Sequence, residues 1–146
     1  YTHTHITPRQ AKIIINSKNF NEMDLSNIWI TCGSDCVDWK SIKAFVRRGA
    51  TFMANWGMSE IGPCAINIIF SNEDSINDYI SLAPNNLPIM GENFYCDYQI
   101  SDLNELIVKG DICIYDDWFF TGDLVIKKIK ISSYDESPVI YFLGRN

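Results

Sequence analysis

Three short stretches crowd chemistry-bearing side chains beside glycine. "NWGMSE", Asn55 to Glu60, joins an indole, a glycine, a hydroxyl and a carboxylate, between two apolar runs that each read as a buried strand. "DDWFFTGDL" sets another Trp ahead of a Thr-Gly pair and Asp123, and "TCGSD" sets Gly33 and Ser34 behind a third apolar run. The ring of Trp56 offers a face on which a heteroaromatic base can stack. Ser59 can donate to a phosphate oxygen, and Glu60 is a hard oxygen ligand of the kind Mg²⁺ takes. An ionised Asp123 only accepts, so it suits two hydroxyl donors such as those of a ribose. Gly33 lets backbone approach a flat ligand with no Cβ between. Base, ribose, phosphate and metal are all provided for. These groups add up to a nucleotide site.

Each residue also has a plainer reading. Trp56 alone is a core plug, Ser59-Glu60 a helix start, Asp123 a hairpin-turn residue, and Arg145 an exposed arginine. Trp118, Phe119 and Phe120 read as core, Trp29 and Trp39 as packing, and His3 and His5 as polar residues on one strand face. The acidic run "NEDSINDY" reads as a solvated loop.

Position depends on the elements. "THTHI" predicts a strand, and Thr7-Pro8 a cap and first-turn proline opening a helix to about Ser17. "NIWIT" predicts a second strand, residues 37–48 a helix ending in basic side chains and Gly49, and "ATFMANW" a third strand. Strand-helix alternation implies parallel pairing, and ligands gather outside the carboxyl ends of such strands. After Phe70 the chain turns polar, then runs through short apolar segments such as "ELIVKG", "LVIKKIKI" and "VIYFLG" that predict antiparallel strands. The expectation is an α/β half over residues 1–70, carrying the adenine and phosphate motif, followed by a small antiparallel β-barrel or curled sheet over 71–146.

Composition narrows the function classes. The 146 residues are 47% apolar and 21% charged, ordinary for a globular chain, and a fold of this size buries about 70% of its extended surface. A net charge of -6 without a Lys/Arg patch argues against nucleic acid and anionic membrane as partners. No apolar run can span a bilayer. Five scattered cysteines form no disulfide framework and read as reduced thiols of a cytoplasmic protein. The chain opens without an initiator Met on an alternating segment and closes on "YFLGRN", so it reads as a piece of a longer chain or one member of a split pair.

Taken in order, the motifs resemble the adenylate-forming (AMP-binding) superfamily of acyl-CoA and aryl-CoA synthetases, beetle luciferases and peptide-synthetase adenylation domains. "NWGMSE" resembles its Tyr-Gly-x-Thr/Ser-Glu motif and "DLSNIWITCGSD" the segment ending Gly-Gly-Ala-Pro. "NELIVKGD" is similar to Gly-Glu-Leu-x-Val-x-Gly, "DDWFFTGDL" to Gly-Trp-Phe-x-Thr-Gly-Asp, and "YFLGR" to the strand ending Gly-Arg before the interdomain hinge. The resemblance implies ATP-dependent, Mg²⁺-assisted activation of a carboxylic acid to an acyl-adenylate, then transfer to the thiol of CoA or a carrier protein. It implies Trp56 as the adenine-stacking aromatic, with Asn55 and Gly57 beside it in the nucleotide-binding set. Ser59 and Glu60 take the catalytic positions, as α-phosphate donor and Mg²⁺ ligand. Gly33 and Ser34 border adenine and acyl group, and Asp123 and Arg145 hold the ribose.

Departures accompany the matches. Cys32-Gly33-Ser34-Asp35 lacks one glycine and the proline of the family pattern, and the stretch between Gly110 and Trp118 is short. The family's Ser/Thr/Gly-rich phosphate loop ending in Pro-Lys and its C-terminal lysine domain have no counterpart here. The chain is therefore expected to be a central portion of such a ligase, inactive by itself and completed by N-terminal and C-terminal parts. The alternatives are a nucleotide-binding or regulatory module without chemistry, and a degenerate fragment that associates with other chains through apolar surface.

Overall fold

The computed structural model describes residues 2–146. Strands β1 (Thr2–Ile6), β2 (Ile28–Cys32) and β3 (Thr51–Met58) pair in parallel, with helices α1 (Pro8–Ile15) and α2 (Trp39–Arg47) in the connections. Both helix starts follow from local chemistry. Thr7 and Gln10 form a reciprocal capping box ahead of Pro8, and Asp38 accepts from the Ser41 N–H at 2.7 Å. Strand β4 (Gly62–Phe70) folds back antiparallel on β3, and the short β6 (Asn93–Phe94) closes the order β1-β2-β3-β4-β6.

The polar run after Phe70 is a helix, α3 (Glu73–Leu82), where the sequence predicts a loop at Asn72 to Tyr79. Asn72 caps it by accepting from the Ser75 N–H, Glu73 and Asp74 suit the positive end of its dipole, and Ile76 and Tyr79 bury one turn apart. Two buried side chains among charged neighbours leave too narrow an apolar stripe for the sequence pattern to announce.

Strands β5 (Ile89–Gly91), β7 (Asp97–Ile100), β8 (Glu105–Lys109), β9 (Phe119–Ile131) and β10 (Glu136–Arg145) form a second, antiparallel sheet in the order β5-β10-β9-β8-β7. The sheet is open among the described residues, with β5 and β7 as its edges, where the sequence predicts a barrel or a curled sheet. The fold is mixed α/β with two sheets.

The core ties the sheets together. One apolar cluster joins Phe45, Phe52, Phe70 and Ile76 to Ile89, Val139 and Tyr141, and the other joins Ile61, Ala65 and Ile66 to Met90, Leu106, Val125 and Ile140. Phe119 packs on the second cluster, but Phe120 faces solvent, contrary to its expected core role. Trp39 is buried and donates to the Leu87 carbonyl at 3.1 Å, while Trp29 meets His3 edge-on. No described helix is long and apolar enough to cross a membrane.

Candidate functional site: a cleft between the two sheets

A cavity of about 360 Å³ opens where the ends of β2 and β3 meet β5, β9 and β10. Ser34, Asn55, Trp56, Gly57, Asp123 and Arg145, all singled out from the sequence, line it. Gly33, Ser59 and Glu60 do not.

Trp56 and Gly57 sit inside β3 rather than after it, because the strand runs on to Met58 and turns at Ser59–Ile61 into β4. Ser59 and Glu60 thus occupy a hairpin tip, not a helix start. The tip is held from the other sheet's loop, where the Ile114 N–H donates to the Glu60 carbonyl at 2.9 Å. Gly57 permits the tight hairpin: a Cβ there would lie 2.2 Å from the Gly62 carbonyl oxygen. Gly33 backs the cavity wall instead of lining it, and a Cβ on it would meet Asn55 Oδ1 at 2.4 Å. Asn55 donates to the Pro63 carbonyl, but its Oδ1 is buried with no hydrogen-bond partner. Such an acceptor is costly unless something donates to it.

Asp123 arrives by a different device from the expected hairpin turn. Thr121-Gly122-Asp123 is a bulge within β9, where the pairing with β8 slips between Glu105 and Ile107. Gly122 takes φ +77, and the Thr121 hydroxyl donates to the Leu106 carbonyl while accepting the Asp123 N–H. Bulges re-aim side chains, and this one turns a carboxylate inward until it is 6% exposed. Its Oδ2 accepts the Trp56 indole N–H at 2.8 Å, and its Oδ1 lies 3.5 Å from Arg145 Nε. Arg145 is the direct cross-strand partner of Asp123 on β10, so strand register makes that pair.

The remaining lining was not signalled. Asp35, Cys36 and Val37 follow Gly33-Ser34 on one loop and could have been read with it, but Ile89, Met90 and Phe142 are apolar strand residues like many others. Burial, then the charge of Asp38, pushes the Cys32 thiol up to about 12; burial, then Asp35 and Asp123, pushes Cys36 up to about 11. Both stay protonated at neutral pH and are poor nucleophiles. The cleft is lined by an indole, a buried carboxylate with a cation beside it, and apolar walls.

No protein-family model matches the chain, and no curated protein matches its sequence. Solved structures do match in fold. The adenylation domain of a keto acid-selecting NRPS module, bound to keto acyl adenylate, superposes with a TM-score of 0.71 at 17% identity, over 99% of this chain and 35% of that one. The anthranilate CoA ligase AuaEII, in complex with anthranoyl-AMP, gives 0.69 at 13% identity, over 99% and 30%. The O-succinylbenzoate Coenzyme A Synthetase (MenE) from Bacillus subtilis, in complex with AMP, gives 0.65 at 15% identity, over 99% and 31%.

The chain has the fold of part of an adenylate-forming enzyme. It spans about a third of the length of those adenylate-forming chains. The cleft between its two sheets is where Ser34, Asn55, Trp56, Gly57, Asp123 and Arg145 meet, with Gly33, Ser59 and Glu60 outside its lining.

Proposed function

We propose that this chain is the nucleotide-holding portion of an ATP-dependent acid:thiol ligase that forms an acyl-adenylate. The observation that carries the proposal is the convergence of Trp56, Asn55, Asp123 and Arg145, from three strands of two sheets, on one cleft. In this reading adenine lies against Trp56, and the ribose hydroxyls reach Asp123 beside Arg145. Ser34 borders the acyl group, and the second sheet corresponds to the family's barrel subdomain.

Ser59 and Glu60 stand at the hairpin tip, where a triphosphate leaving the cleft would meet them. Among the described residues the half-buried Glu60 carboxylate has neither ion pair nor hydrogen bond, and no group of three His, Cys, Asp or Glu side chains could hold a metal. A lone carboxylate fits Mg²⁺, which takes one or two carboxylates together with phosphate oxygens and water. Bound there, Mg²⁺ would supply charge neutralisation at the α-phosphate as a substrate carboxylate attacks. Ser59 would donate to that phosphate, and the acyl group would pass to CoA or a carrier thiol.

The test is titration of the 146-residue chain with AMP and with ATP plus Mg²⁺ by calorimetry. Binding in the micromolar to millimolar range is expected, with loss of about tenfold or more for Asp123→Ala. Acid-dependent pyrophosphate exchange is expected only once polypeptides bearing the phosphate loop and the lysine domain are supplied. No heat at millimolar nucleotide would sink the reading. Binding that never yields exchange in the completed assembly would leave a nucleotide-binding module without chemistry.

A further inference from the structure

We infer that Trp56 acts on the ribose as well as the base: its indole N–H is a positioning group for Asp123 and sets selectivity for a 2′-hydroxyl. The inference rests on the nucleotide reading above and names a role for the edge of the ring rather than its face. The Asp123 side chain is 9% exposed. Among the described residues it accepts one short hydrogen bond, from Trp56 Nε1 at 2.8 Å, and its other oxygen pairs with Arg145 at 3.5 Å. That distance is outside the usual N–H···O range, and the Arg145 side chain is 68% exposed. A buried carboxylate has roughly four acceptor sites and is costly to leave under-supplied. Vicinal hydroxyls supply the two donors it lacks.

Asp123 must also be oriented. The bulge fixes the Asp123 backbone through Thr121. The carboxylate itself sits on a torsion with a broad, twofold profile and would turn freely without a partner. The indole N–H removes that freedom at Oδ2 and leaves Oδ1 for a ligand. Phenylalanine offers the same face and no donor, while tyrosine carries its hydroxyl at the far tip of the ring. The indole of Trp56 both lines the cleft and carries an edge donor toward Asp123.

The experiment compares AMP with 2′-deoxyAMP on wild type and Trp56→Phe by calorimetry, and follows the indole N–H resonances of the ligand-free chain by NMR. Wild type is expected to favour AMP by roughly tenfold, the scale of a hydrogen bond to a charged group. Trp56→Phe should cut that preference to about threefold or less, while 2′-deoxyAMP affinity, which reports stacking, falls much less. In the ligand-free chain the Trp56 indole N–H, like that of Trp39 on the Leu87 carbonyl, should be protected from solvent exchange, and only the Trp56 protection should be lost in Asp123→Ala. An unchanged AMP preference in Trp56→Phe, or Trp56 protection that survives Asp123→Ala, overturns the positioning role while leaving the nucleotide site standing. Wild type that binds neither nucleotide overturns both. If Trp56→Phe unfolds, 3-benzothienylalanine at position 56 keeps the ring shape, lacks the N–H and must give the same loss of preference.

Discussion

Two glycines near the cleft make different demands on their surroundings. At Gly57 an added Cβ meets backbone of the facing strand, Gly62 O at 2.2 Å and Pro63 C at 2.4 Å. At Gly33 the first clash is with a side-chain end, Asn55 Oδ1, and backbone follows at 2.9 Å. Gly57→Ala should therefore cost more stability, on the order of 3 kcal/mol against about 1–2 for Gly33→Ala. Urea melts of the two variants check the order, and equal costs would refute it. Cys36 makes a prediction in pH. With its thiol raised from 9.0 to about 11, its thiolate fraction at pH 8 is about a hundredfold below that of an unperturbed thiol. Alkylation of Cys36 should rise about tenfold per pH unit toward pH 11. Between pH 9 and 11 the unfolded chain has released a proton that the folded one keeps, so stability falls as pH rises. Cys36→Ser should lessen that fall in denaturant melts taken across the range, with the contribution of Cys32 remaining.

Within the elements, the β9 bulge and the α3 cap are the local devices on which the site and its support depend. Nothing lies within 4 Å of a Cβ built on Gly122, so Gly122→Ala meets only the backbone penalty of φ +77. That penalty is about 1–2 kcal/mol. If the bulge relaxes to escape it, Asp123 swings away from Trp56, and AMP affinity should fall more than stability does. Calorimetry and thermal melts on the same variant separate the two effects. For α3, Asn72→Ala removes the acceptor for the Ser75 N–H and should cost about 1 kcal/mol while leaving nucleotide affinity within twofold, since no cleft residue lies on that helix. A large loss of affinity in this variant would tie α3 to the site.

At the scale of the molecule, the two sheets share their interior. Tyr141 of β10 is fully buried and donates to the Tyr79 carbonyl of α3 at 2.6 Å, while Tyr79 donates to Glu92 at 2.6 Å and lies under Lys130. These contacts lie within residues 71–146, but both apolar clusters cross the sequence division near Ser71. The chain should unfold in one cooperative step, and residues 1–70 or 71–146 expressed separately should not fold. Two resolved calorimetric transitions would contradict this. Tyr141→Phe removes one of the two donors to the Tyr79 carbonyl, the Ala83 N–H remaining, and should cost about 1 kcal/mol, and cooperativity should survive it.

The sequence by itself determined the local pieces: the parallel strand-helix-strand opening, the capped start of the first helix, and the short motifs with their glycines. Those depend on neighbours a few residues apart, where hydrogen-bond reach and side-chain period act directly. The tertiary structure decided the rest. That Trp56 would turn an N–H toward a carboxylate 67 positions away, that Thr-Gly-Asp would be a bulge and not a turn, that Ile89, Met90 and Phe142 would wall the cleft, and that the second sheet would stay open are outcomes of strand register and shared burial. Burial is a property of the assembled sheets, because an apolar strand residue carries no mark of which surface it will meet.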